Sequence, residues 1–156
     1  MSAADPPKPG RGPVTVTDEA LRLHRDSLVV DGHNDLPWEL RKKANLSFRD
    51  FDLTRPQPSI HTDLPRLRKG GVGAQFWAAY VPSETARDGT AVAMTLEQID
   101  VIHRLVRQYP DDLAFATSTA DIERIRQAGK VASLIGVEGG HSIGNSIGVL
   151  RTFHRL

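Results

Sequence analysis

Apolar residues recur along this chain with two alternating periods. Val92, Leu96, Ile99, Ile102, Leu105 and Val106 fall three or four apart between Gly89 and Tyr109, which predicts an amphipathic helix that Pro110 ends. Ile122 and Ile125 repeat the spacing after Ser118-Thr119-Ala120-Asp121, a helix-opening segment, with Gly129 as the stop. Ile147, Leu150 and Phe153 resume it between Ser146 and Leu156. Thr17 can cap a short helix to about Arg25, since Asp18 and Glu19 favour the positive end of its dipole. Between these stretches the period changes. Ser27 to Val30 is a short apolar run closed by Asp31-Gly32, and Leu113 to Ala116 is short enough for an inner strand. Val72 to Val81 alternates, with Ala74, Phe76, Ala78 and Tyr80 on one face, and Val131 to Val137 is nearly continuously apolar before Glu138-Gly139-Gly140. Arg41 to His61 shows neither period and holds Pro56 and Pro58, which predicts a long surface loop.

These elements make about four strand-then-helix units, the order of a parallel α/β sheet. An open doubly wound sheet satisfies it, and so does the N-terminal half of a (β/α)8 TIM barrel, truncated relative to the roughly 250 residues of a whole one. Residues 1–16, polar and rich in Pro and Gly, are expected to form a flexible arm ahead of one domain over residues 17–156.

Composition removes several classes of function. With 20 Lys and Arg against 19 Asp and Glu, the net charge of +1 offers no broad basic field, so a nucleic-acid partner is not expected. The absence of cysteine excludes disulfides, thiolate ligands and a cysteine nucleophile, leaving His, Asp and Glu as strong metal ligands. No secretory leader or membrane segment is visible in the sequence, so a cytoplasmic location is expected.

In parallel α/β sheets, functional side chains gather where strands meet the loops that follow. Two polar clusters hold that position, Asp31-Gly32-His33-Asn34-Asp35 and Glu138-Gly139-Gly140-His141. If the first is extended, His33 and Asp35 point the same way and can share a metal ion. Glu138 can bridge two ions, one on each carboxylate oxygen, and such a pair supports metal-assisted hydrolysis. The competing reading is that these polar residues cap the helix after each strand. His24, His61, His103 and His154 read as surface or core filling, His141 as a helix-start residue or a support for Glu138, and Lys42-Lys43 and Arg66-Arg68-Lys69 as solvated charge. Gly140-His141-Ser142-Ile143-Gly144 matches a serine elbow by its letters. Against it, Glu138-Gly139-Gly140 separates the serine from the strand, and no Asp-then-His pair follows.

The segments Val29 to Pro37 and Ile135 to His141 together resemble the renal (membrane) dipeptidase family of zinc metallopeptidases. Thr62 to Trp77 and Ala116-Thr117-Ser118 are similar to the same family in the same order, so the likeness runs from about Leu28 to the last residue. The resemblance implies a (β/α)8 barrel with a binuclear zinc site that hydrolyses dipeptides and related small amides. His33 and Asp35 would hold one zinc, and Glu138, the expected catalytic residue, would bridge both. The family's other zinc histidines and its substrate-positioning residues belong to later strands, beyond Leu156. Two further expectations follow: a silent fragment or interaction module that needs a partner half-barrel, for which a homodimer is one source, and a related amide such as a lactam as substrate.

Overall fold

The computed structural model describes residues 15–49 and 51–156. All but the last two residues of the expected arm over 1–16 therefore lie outside the described residues.

Each strand feeds a helix. The order is α1 (Asp18–Asp26), β1 (Val29–Asn34), α2 (Leu36–Ala44), α3 (Leu64–Lys69), β2 (Val72–Tyr80), α4 (Thr85–Asp88), α5 (Ala91–Gln108), β3 (Leu113–Phe115), α6 (Thr119–Gln127), β4 (Val131–Glu138) and α7 (Ile147–Phe153), with a short 3-10 turn over Gly140–Ile143. The caps explain several starts. Thr17 accepts from the Ala20 amide at 3.1 Å, and the Ser118 hydroxyl accepts from the Asp121 amide at 3.1 Å. Asp63 opens α3 by accepting from the Arg66 amide at 2.8 Å.

All strand pairs are parallel, in the order β1-β2-β4-β3. The four-unit reading therefore holds in kind, but a regular barrel would place β3 between β2 and β4. The reason is length: β3 has three residues, and it pairs only with Val131, Ala132 and Ser133 at the start of β4. β2 takes the other edge of β4 along seven consecutive pairs, from Ala74–Ala132 to Tyr80–Glu138.

The two faces of the sheet are covered unequally. Trp77 and Ala79, both fully buried, join Leu36 and Leu40 of α2 and Ile99, Ile102 and Leu105 of α5 in the main core. Ala74 and Ala132 lie on the opposite face and pack against Ile125 of α6. On that face Val30 of β1, which pairs with Ala74, is 49% exposed.

The stretch over Arg41 to His61 departs from the surface-loop expectation. Its first residues complete α2, where Leu36, Leu40 and Ala44 are buried at helical spacing and Asn45 closes the helix with φ 45. Farther on, Leu53 and Ile60 are buried in the main core. Asp63 holds this segment down: its carboxylate accepts from the Gln57 amide and from Arg66 Nε, each at 2.8 Å, while Arg66 also donates to the carbonyls of Gln57 and Ile60. Four of the five basic residues read as solvated charge, Lys42, Lys43, Arg66 and Arg68, have partners as well. Lys42 and Lys43 pair with Glu39, and Arg68 pairs with Asp112.

Candidate metal centre

The end of β1 is irregular. Three steps on β1, from Asp31 to Asn34, stand against two on β2, from Gln75 to Trp77, so β1 carries one extra residue there. The strand stops at Asn34, and Asp35 is the N-cap of α2 with φ −82 and ψ 15, which is not extended backbone. His33 and Asp35 do converge as expected, but the reason differs from simple strand alternation. A bulge and a helix cap aim them.

The third residue comes from β4, across the intervening strand β2. Glu138 is the last residue of β4 and pairs with Tyr80 of β2. Tyr80 meets Trp38 edge-on at 5.1 Å between ring centroids, which ties the first turn of α2 beside that strand end. His33 Nε2 then stands 3.4 Å from an oxygen of Asp35 and 3.4 Å from an oxygen of Glu138. Both separations exceed the usual reach of an N–H···O hydrogen bond. One donor atom from each of the three residues lies within 4.8 Å of the others. The side chains are 53%, 53% and 43% exposed, so solvent and a small ligand reach them directly.

An imidazole and two carboxylates gathered on one open point, without hydrogen bonds among them, are a donor set suited to a divalent cation such as zinc. The next residues shape the approach. Gly139 has φ +86, and a Cβ there would come within 2.4 Å of the His141 ring, so this position needs glycine on two counts. His141 meets the Val81 carbonyl at 2.9 Å through Nε2. Ser142 is fully buried and donates to the backbone carbonyl of Glu138 at 2.9 Å. A hydroxyl buried and committed in that way cannot serve as the exposed nucleophile of a serine elbow.

Beside the three donors lies an open cavity of about 250 Å³ lined by His33, Asn34, Asp35, Leu36, Glu39, Ile60, His61 and Thr62. His61 therefore belongs to the rim of the site and is not a remote surface residue. Its loop position gave no sign of this, because burial of Leu53 and Ile60 is what brings it there. Two other histidines are engaged elsewhere: His24 with the Gly70 carbonyl, and His103 with the Leu156 carbonyl and the Phe115 ring.

The family model for membrane dipeptidases (peptidase family M19) matches residues 17–156. The chain belongs to this family. It is 48% identical over 142 residues to Dipeptidase 3 of Mus musculus, covering 89% of this chain and 27% of that protein. With Dipeptidase ataJ of Aspergillus terreus it shares 43% over 139 residues, 82% of this chain and 33% of the relative. The chain thus spans about a quarter to a third of these two relatives. Among solved structures, the metallopeptidase dipeptidase AC of family M19 aligns with TM-score 0.70 and 25% identity over 82% of this chain and 40% of its own. A metallopeptidase from Rhodobacter sphaeroides, liganded with a phosphinate mimic of the dipeptide L-Ala-D-Ala, also gives 0.70 at 24% identity, over 82% of this chain and 42% of that one. The parallel sheet described above is accordingly the N-terminal part of the membrane dipeptidase barrel. Among the described residues, no helix is long and apolar enough to cross a membrane.

Proposed function

We propose that this chain carries the metal-holding edge of a dipeptidase site, with His33 and Asp35 as ligands of one zinc and Glu138 as the carboxylate shared with a second. The observation that carries the reading is the convergence of three donor atoms within 4.8 Å at the C-terminal ends of β1 and β4, in a chain of this family. Zinc bound there would supply Lewis-acid polarisation of the scissile carbonyl and an activated water. The residues themselves hold and orient. His33 presents Nε2, Asp35 is fixed by its place at the head of α2, and Glu138 stands at the end of β4, just before the turn at Gly139. A small unblocked dipeptide suits the 250 Å³ recess beside them, where His61 and Glu39 bring polar groups to its wall.

The test is turnover of a dipeptide panel by the zinc-loaded protein beside its Glu138→Gln variant. Hydrolysis that the variant lacks supports the reading, and equal hydrolysis by both contradicts it. A second reading, in which this segment binds metal but needs a partner half-barrel for turnover, is favoured by the partly bare sheet face at Val30. Three donors also leave two zinc ions short of protein ligands. Zinc binding with turnover only after a partner is added would select it.

A further inference from the structure

We propose that Gln75 is a positioning residue for the metal-holding turn: it bridges the β1 bulge and thereby sets the separation of His33 and Asp35. The inference rests on the metal reading above and adds a residue that binds neither metal nor substrate.

Gln75 is fully buried in the middle of β2, where an apolar side chain would be the ordinary occupant. Its amide spans the irregular part of β1. Nε2 donates to the Asp31 carbonyl at 3.3 Å and to the Phe76 carbonyl at 3.1 Å, while Oε1 accepts from Asn34 Nδ2 at 3.3 Å. The two β1 groups it holds lie on either side of the extra residue, so Gln75 takes up the backbone and side-chain polarity that the interrupted ladder leaves unpaired.

Asn34 passes the constraint on. Its Oδ1 accepts from the Leu36 amide at 3.0 Å, at the start of α2, and from the Thr62 hydroxyl at 3.1 Å. On the other side, the Asp31 carboxylate accepts from the His33 amide at 3.1 Å. His33 and Asp35 are thus the two residues flanking Asn34: the His33 amide bonds to Asp31, whose carbonyl Gln75 holds, and the Leu36 amide just after Asp35 bonds to Asn34, whose side chain Gln75 holds. A buried amide satisfied at both ends keeps one geometry, since every alternative leaves a polar group unpaired in the core.

Cobalt(II) is the probe, read by its visible absorption and by competition with a chelator, in the parent chain and in Gln75→Met, Gln75→Glu and Gln98→Leu. Gln75→Met keeps the length and loses every bond. Gln75→Glu keeps the acceptor for Asn34 and, as a buried neutral acid, donates to one of the two carbonyls. Gln98 is also fully buried, accepts from Arg41 at 2.8 Å and makes no bond to the β1 turn, so its variant controls for general destabilisation. Gln75→Met is expected to weaken cobalt binding about tenfold or more and to change the absorption band, with Gln75→Glu between it and the parent and Gln98→Leu unchanged. Parental affinity and spectrum in folded Gln75→Met overturn the proposal, as does equal weakening in Gln98→Leu. If Gln75→Met does not fold, parental cobalt binding in Gln75→Glu overturns it. A parent chain that binds no cobalt overturns the metal reading, and this proposal with it.

Discussion

His33 and Glu138 come within 3.4 Å of each other from strands that are not neighbours, because the parallel strand β2 separates β1 from β4 and all three end at the same edge of the sheet. The site is thus a property of the sheet order and not of either motif alone. Anything that shifts β4 relative to β1 should dissolve it.

Glycine at position 139 is one such control. Gly139→Ala places a side chain at φ +86 and drives a methyl into the His141 ring. The expected cost is about 1–3 kcal/mol of stability. Urea unfolding measures it, and a variant as stable as the parent would show that the turn after Glu138 is relaxed in solution.

Removing the buried hydroxyl behind Glu138 should act on stability and spare chemistry. Ser142→Ala loses the 2.9 Å bond to the Glu138 carbonyl and is expected to cost about 0.5–1.5 kcal/mol, with zinc binding retained. Abolished hydrolysis with zinc affinity intact would revive serine chemistry.

Leu53 tests the segment that the sequence presents as a surface loop. It is buried without residual exposure, so Leu53→Ala should destabilise the protein by about 2–5 kcal/mol. A true surface position would change stability by no more than about 0.5 kcal/mol. Thermal or urea melts distinguish the two.

Acid should loosen the same segment through Asp63. Burial pushes its carboxyl upward, but the Gln57 and Arg66 amides and the Arg66 guanidinium together outweigh burial and hold it below the ordinary carboxylate range. A depressed folded value makes the contribution of Asp63 complete above the unfolded pKa of about 3.9 and progressively lost as pH falls below it. Stability measured by urea from pH 6 to pH 2 should therefore fall more steeply in the parent than in Asp63→Asn, and parallel curves would contradict this.

The sequence makes the chemistry legible where residue type is itself the signal. His33, Asp35 and Glu138 stand at the ends of apolar runs, and apolar period alone marks α5 and β4. α2 is hidden because its apolar positions, Leu36, Leu40 and Ala44, share their stretch with the polar cluster before them and with Arg41-Lys42-Lys43 behind. Strand order escapes a local reading because the three-residue β3 has too little ladder to separate its neighbours. Gln75 escapes for the opposite reason: one polar residue in an alternating strand looks like a solvent-facing position until its partners, Asp31 and Asn34, are brought beside it by the fold.

The most direct measurement is zinc bound at equilibrium by the parent chain and by its His33→Ala, Asp35→Ala and Glu138→Ala variants, with each fold checked by circular dichroism. A shared metal centre predicts zinc on the parent and a loss of affinity in every variant that keeps its fold. Zinc held equally by parent and variants, or by none of them, would contradict it.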